Sequence, residues 1–164
     1  MANSYALETI GVIHTPFSQQ RGTPIQPAFA GETRGEVLLD QPHRLALQDL
    51  DGFERIWLIY LFHEARRWKA LVTPFLDTQQ RGLFATRAPS RPAPIGISAV
   101  RLIAVKEDRL IVEGVDILDG TPLLDIKPYV PKFDAFPESA AGWLDSAGSR
   151  TKPQGQADDR FKDQ

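Results

Sequence analysis

The nine residues RIWLIYLFH, Arg55 to His63, decide the fold class. Between the cationic start and the terminal histidine every side chain is hydrophobic, and β-branched and aromatic residues suit a pleated strand. A strand sends alternate side chains to opposite faces, so a strand apolar at every position has two faces to cover. The expectation is a central strand, buried on both sides, in a closed or tightly covered barrel.

The flanking sequence carries further strands. ALETIGVIHTPF, ending against Pro16, GEVLLD, GLFAT, GISAVRLIAV and RLIVEGVDIL are each rich in strand-forming residues and bounded by Gly, Pro or charged turn residues. IAVKEDRLIVEGV predicts a hairpin turning at Glu107-Asp108, and the stretch around LALQDL offers one short helix. The fold class is therefore all-β: a small closed or partly open β-barrel with one or two short helices. From Ser146 onward the chain is polar, which divides it into a folded domain, residues 1–145, and a flexible C-terminal tail, residues 146–164.

At 164 residues, with 42% hydrophobic content and mixed charges, the chain is long enough for one domain with a sizeable core. It contains no cysteine, which excludes disulfides and thiolate metal sites, and His14, His43 and His63 are too scattered to form a ligand cluster, so no metal is expected. The N-terminus lacks a cationic start followed by a long apolar run, and no stretch approaches about 18 consecutive apolar residues. A cytoplasmic protein with no membrane partner is the expectation.

Net charge is −2, but its distribution is uneven. Between Ala65 and Lys106 stand eight cations (Arg66, Arg67, Lys69, Arg81, Arg87, Arg91, Arg101, Lys106) and one acid, Asp77, a local excess of about +7. Such a run serves either as a solvated face or as a patch for a polyanion. Within it, FATRAPSRPAPIGISAVRL places Arg87 and Arg91 beside three prolines in six residues. Repeated proline fixes φ and removes N–H donors, which suits an immobile wall, and an arginine on such a wall can clamp a carboxylate or phosphate.

Three other stretches are chemically loaded. RGTPIQPAF is a polar loop with Gln26 between two prolines; FHEA brings His63 and Glu64 to the rim of the apolar strand; VDILDGTPLLDIKPYVP sets Asp116, Asp119 and Asp125 around Gly120. Lys127 shares a face with Asp125 if a strand continues through them.

In order and wording, IGVIHTPF, GTPIQPAF, RIWLIYLFHEA, GLFATRAPSRPAPIGISAVRL and DILDGTPLLDIKPYVP resemble the TsaA-like family, also called the TrmO family. The resemblance spans about Ile10 to Pro131, and ATR…RP.PIG.S and DGTP.LDIKPY are its most specific motifs. It implies S-adenosylmethionine (SAM) as the cofactor, a small β-barrel, a homodimer with the cofactor near the subunit interface, and methylation of N6 of N6-threonylcarbamoyladenosine beside the tRNA anticodon. The cofactor pocket implied falls on Gln26-Pro27-Ala28, His63-Glu64, Arg87, Ile97 and Leu118-Asp119-Gly120-Thr121. Two departures stand out: Ala93 replaces the asparagine common in Arg-Pro-Asn-Pro-Ile-Gly, and larger bacterial members carry a C-terminal domain where this chain has the polar stretch.

The N6 of that acceptor is a urea-like N–H whose lone pair is delocalised, so a general base is expected. Asp119, Asp125, Glu64 and His63 are the candidates, with Asp119 favoured because the DGTP turn joins the cofactor set. Arg66, Arg67, Lys69 and Arg91 are assigned to anticodon-loop phosphates, which position RNA without reading sequence. Methylation of another acceptor, SAM sensing without catalysis and simple RNA binding stay open. With only three Tyr and three Trp, several in apolar runs, a stacking platform for bases is not expected.

Overall fold

The computed structural model describes residues 4–147 and 155–159. Its strands are β1 (Gly11–His14), β2 (Arg34–Leu39), β3 (Arg55–Leu61), β4 (Leu71–Val72), β5 (Arg81–Gly82), β6 (Ile95–Val105), β7 (Arg109–Glu113) and β8 (Thr121–Pro128). Six of them close into an antiparallel barrel in the order β1-β2-β7-β6-β3-β8, while β4 and β5 pair separately. Closure pairs each of these six strands on both edges.

β3 is central, flanked by β6 and β8, as its composition predicts. Its two faces differ, however. Ile56, Leu58 and Tyr60 are buried inside the barrel, whereas Arg55, Trp57, Ile59 and Leu61 are only half-buried. The short helix α1 (Pro131–Asp134) supplies part of the outer cover: Trp57 packs against Tyr129 just before α1 and donates its indole N–H to Asp134 within it. The strand is thus fully buried on one face and partly covered on the other.

Ile13, Val37, Leu39, Ile56, Leu58, Val100, Leu110, Val112 and Leu123 fill the interior as the inward phases of the strands, and Val115 and Ile117 cap it from the segment after β7. The hairpin β6–β7 turns where Glu107-Asp108 predicts, with a register shift between Leu102 and Ala104 that bends β6 around the barrel. Around LALQDL the chain forms a 3-10 segment, Gln41–Leu47, and a second short helix, α2, covers Leu144–Ala147.

Two expectations are corrected. GLFAT is not a strand: only its first residue, Gly82, pairs in β5, and Leu83–Ala85 then turn as a 3-10 segment that includes the buried Leu83. Part of the expected tail is docked. The backbone of Gly155 and Ala157 accepts from Ile25 and Gly22, Ala157 donates to Thr23, and Ala157 is buried. The remainder of residues 148–164 lies outside the described residues.

Candidate active site

At the barrel end where β3 finishes and β6 and β8 begin, a cleft of about 760 Å³ opens. Its walls come from four loaded stretches: Gln26 from the first loop, His63 and Glu64 after β3, Arg87 and Arg91 beside the proline wall, and Asp116, Leu118 and Thr121 before and at the start of β8. Ile95 and Ile97 enter from β6. Antiparallel pairing of β3 with both β6 and β8 is what brings the three strand ends to one rim.

The walls are braced by specific bonds. The backbone N–H of Phe62 donates to the Pro94 carbonyl at 2.8 Å, and that of Arg66 to Ser90 Oγ, tying the proline segment to the end of β3. Arg91 donates to the carbonyls of Thr86 and Ala88 and lies over the Phe84 ring. It therefore braces the loop that presents Arg87. Arg87 donates to Gln26 Oε1, joining two elements far apart in sequence. Thr121 Oγ1 donates to the Leu118 carbonyl at 2.7 Å and lies 3.3 Å from His63 Nδ1.

The DGTP turn is anchored outward as well as inward. Gly120 has φ +73°, a left-handed conformation that favours glycine, and lets the chain reverse into β8. Asp119 does not line the cleft. Its carboxylate accepts from the Thr15 N–H and meets His14 Nδ1, both at 3.0 Å, and these contacts hold its pKa below the ordinary value. A half-exposed carboxylate already bonded and shifted downward is a weaker proton acceptor than an ordinary one. Asp125, another candidate, pairs with Lys127 at 2.7 Å.

Gln26, His63, Glu64, Arg87, Ile97, Leu118 and Thr121 are brought together in the cleft, whereas Pro27, Ala28, Asp119 and Gly120 do not line it. Asp116 is the group that sequence reasoning noted without assigning. It is partly buried, accepts from Ser98 Oγ at 2.6 Å, and desolvation pushes its carboxyl up to about 6. The available signals were an acid between Val115 and Ile117 in a hydrophobic run, and a serine two residues before Val100 on the inward phase of β6. Phe75 and Trp143 also line the cleft from segments distant in sequence, and Trp143 is fixed by its indole N–H to the Ala85 carbonyl at 2.8 Å.

Beside the cleft, the loop after β3 presents Arg66, Arg67, Trp68 and Lys69 as exposed side chains. These three cations form no ion pair among the described residues, while Arg81 and Arg101 of the basic stretch pair with Asp77 and Glu113. Trp68 is 51% exposed and Phe84 80%, so aromatic faces are available after all.

Residues 12–135 match the family described as the tRNA-methyltransferase O N-terminal domain. The chain belongs to the tRNA-methyltransferase O family. Among its relatives, a "Probable S-adenosyl-L-methionine-binding protein" of Pyrococcus abyssi is 48% identical over 136 residues, covering 83% of this chain and 74% of that protein. The "tRNA (adenine(37)-N6)-methyltransferase" of Escherichia coli is 34% identical over 155 residues, covering 88% of this chain and 66% of the enzyme. The crystal structure of TrmO from Pseudomonas aeruginosa superposes with a TM-score of 0.73 at 39% identity, covering 85% of this chain and 62% of that one. The tRNA-methyltransferase O barrel is thus shared, and this chain spans just under two thirds of the length of the two bacterial proteins.

Proposed function

We propose that the protein is a SAM-dependent tRNA methyltransferase acting on N6 of threonylcarbamoylated adenosine 37, next to the anticodon. The cleft carries this reading. Its donor set matches the parts of SAM: the Arg87 cation suits a carboxylate, the Glu64 carboxylate an ammonium, and Ile97 and Leu118 the flat adenine. A space of about 760 Å³ is of the size that holds a cofactor-scale ligand.

Bound SAM supplies an electrophilic methyl on a sulfonium leaving group. The protein's own work is to hold both reactants in line and to remove the acceptor proton. The Arg87–Gln26 bond pre-sets the guanidinium for its ligand, and the proline wall keeps the loop from relaxing. Arg66, Arg67 and Lys69 meet anticodon-loop phosphates, with Trp68 offering a face for a splayed base. No helix among the described residues is long and apolar enough to cross a membrane, and a tRNA enzyme works in the cytoplasm. Exposed Ile95 and Ile97 on β6, both also cleft residues, favour a homodimer with the cofactor near its interface. Sedimentation at micromolar concentration with SAM present tests the dimer, and a pure monomer refutes it.

The activity is tested with tritiated-methyl SAM and tRNA prepared with and without threonylcarbamoylation. Label is expected in the modified tRNA alone. Bound SAM with no label in either preparation would sink the methyltransferase reading and favour a non-catalytic sensor.

A further inference from the structure

Three polar side chains make one chain from the barrel interior to the cleft. Tyr60 Oη lies 3.1 Å from Ser98 Oγ, and Ser98 Oγ donates to Asp116 Oδ1 at 2.6 Å. Tyr60 and Ser98 are 4% and 1% exposed, in a core otherwise built of aliphatic residues, where an unpaired hydroxyl is costly. Each hydroxyl has one proton. That of Ser98 goes to the carboxylate, so Tyr60 must be the donor to Ser98, and the whole chain points its protons toward an ionised Asp116. Burial and the nearby Asp116 charge both raise the Tyr60 pKa, which keeps that phenol protonated.

We propose that Asp116 is the general base that takes the acceptor's N6 proton, and that Ser98 and Tyr60 are positioning residues that aim its carboxylate into the cleft. The proposal rests on the methyltransferase reading. The N6–H proton passes to Asp116, the freed nitrogen pair forms the N–CH₃ bond, and the pair of the broken S–CH₃ bond remains on sulfur, giving S-adenosylhomocysteine. Asp116 lines the cleft, where Asp119 does not, and among the described residues its carboxylate is held by the Ser98 hydroxyl and by no ion pair.

The electrostatics agree with the geometry. Desolvation is the largest influence on Asp116 and raises its pKa to about 6; the Ser98 bond, a backbone hydrogen bond and then the Arg87 charge pull it back. Among the described residues, Tyr60 from β3, Arg87 from the proline-braced loop and, along the cleft wall, His63, Glu64 and Arg91 are the titratable or charged groups around it. A base in this range is stronger than an ordinary carboxylate and still mostly ionised at neutral pH.

Two measurements test the assignment. In the free protein, carbon-13 NMR of the Asp116 carboxyl should titrate near 6, and Ser98→Ala, which removes a bond that favours the ionised form, should move the midpoint higher. In single-turnover methyl transfer with SAM and threonylcarbamoylated tRNA, the rate should rise through the same midpoint to a plateau, and the Ser98→Ala limb should move with it. Asp116→Asn should lower the plateau by about 10²–10⁴ while SAM and tRNA dissociation constants stay within about threefold. A limb that ignores Ser98→Ala overturns the proposal even if Asp116→Asn fails to fold. Loss of SAM affinity matching the loss of rate overturns it too, making Asp116 a cofactor ligand. If wild-type protein binds SAM and methylates no tRNA, the underlying methyltransferase reading falls first, and the base role falls with it.

Discussion

Tyr60 on β3 lies directly opposite Gly96 on β6, and its ring occupies the space where a side chain at that position would stand. A Cβ built on Gly96 would sit 2.2 Å from Tyr60 Cε2. The missing side chain lets the ring lie across β6 and deliver its hydroxyl to Ser98, two residues along the same strand. The glycine of the PIG.S motif thus serves the barrel core and the cleft at once.

Gly96→Ala should accordingly overpack the core by about 1–3 kcal/mol. In a chain of this size that corresponds to a Tm lower by about 2–4 °C per kcal/mol. The same substitution in a Tyr60→Leu background should cost less, because the ring that it strikes is gone. Differential scanning calorimetry on the two single variants and the double variant checks this; additive losses would show that the ring is not the obstacle.

Arg87→Ala removes a cation of the cleft wall and frees Gln26 of its partner. Loss of a charge-assisted bond to the SAM carboxylate is worth about 1.5–3 kcal/mol, roughly tenfold or more in affinity. Calorimetric titration with SAM should show that weakening, and an unchanged dissociation constant would remove Arg87 from the cofactor site.

How far the sequence discloses this site depends on the kind of signal. RIWLIYLFH announces a central strand because burial and β propensity act on consecutive residues, and Lys127 shares a face with Asp125 because alternation is a local rule. β8 is harder to see. Pro122 and Pro128 read as breakers, yet Pro122 stands opposite Val12 in a strand that barrel closure holds in place. The docking of Ala157 beside Thr23, and of Trp143 beside Ala85, joins residues far apart in the chain and leaves no trace in spacing. Asp116 and Asp119 are alike in sequence, three residues apart on one loop. Desolvation separates them, raising one and leaving the other to its surface partners, and desolvation is a property of the folded barrel.

Asp119→Asn should be a stability variant more than a catalytic one. The Thr15 N–H, then the His14 ring, lower the folded pKa of Asp119, so its ionised form stabilises the native state. That contribution is fully present above the unfolded value of about 3.9 and is lost as pH falls through the lower folded value. The side chain is 46% exposed, which limits the effect to under about 1 kcal/mol. Chemical denaturation should show a small gap between wild type and variant at neutral pH that closes in acid, with methyl transfer nearly intact. A large fall in turnover at unchanged SAM affinity would return the base role to Asp119.

Charge reversal at Arg66 and Arg67 should separate RNA from cofactor. Both side chains are exposed on the loop after β3 and stand outside the cleft lining, so SAM affinity should not change. Each phosphate contact to single-stranded RNA contributes about 0.7 to the slope of log affinity against log salt, through release of condensed counterions. Arg66→Glu with Arg67→Glu should weaken tRNA binding most at low salt and flatten that slope by about 1.4 if both arginines meet phosphate. Trp68→Ala supplies the contrast: a lost stacking contact lowers affinity by a similar factor at every salt concentration and leaves the slope alone. Filter binding of anticodon stem-loop RNA over a salt series distinguishes the two. An unchanged slope in the double charge variant would place the RNA on another face of the barrel.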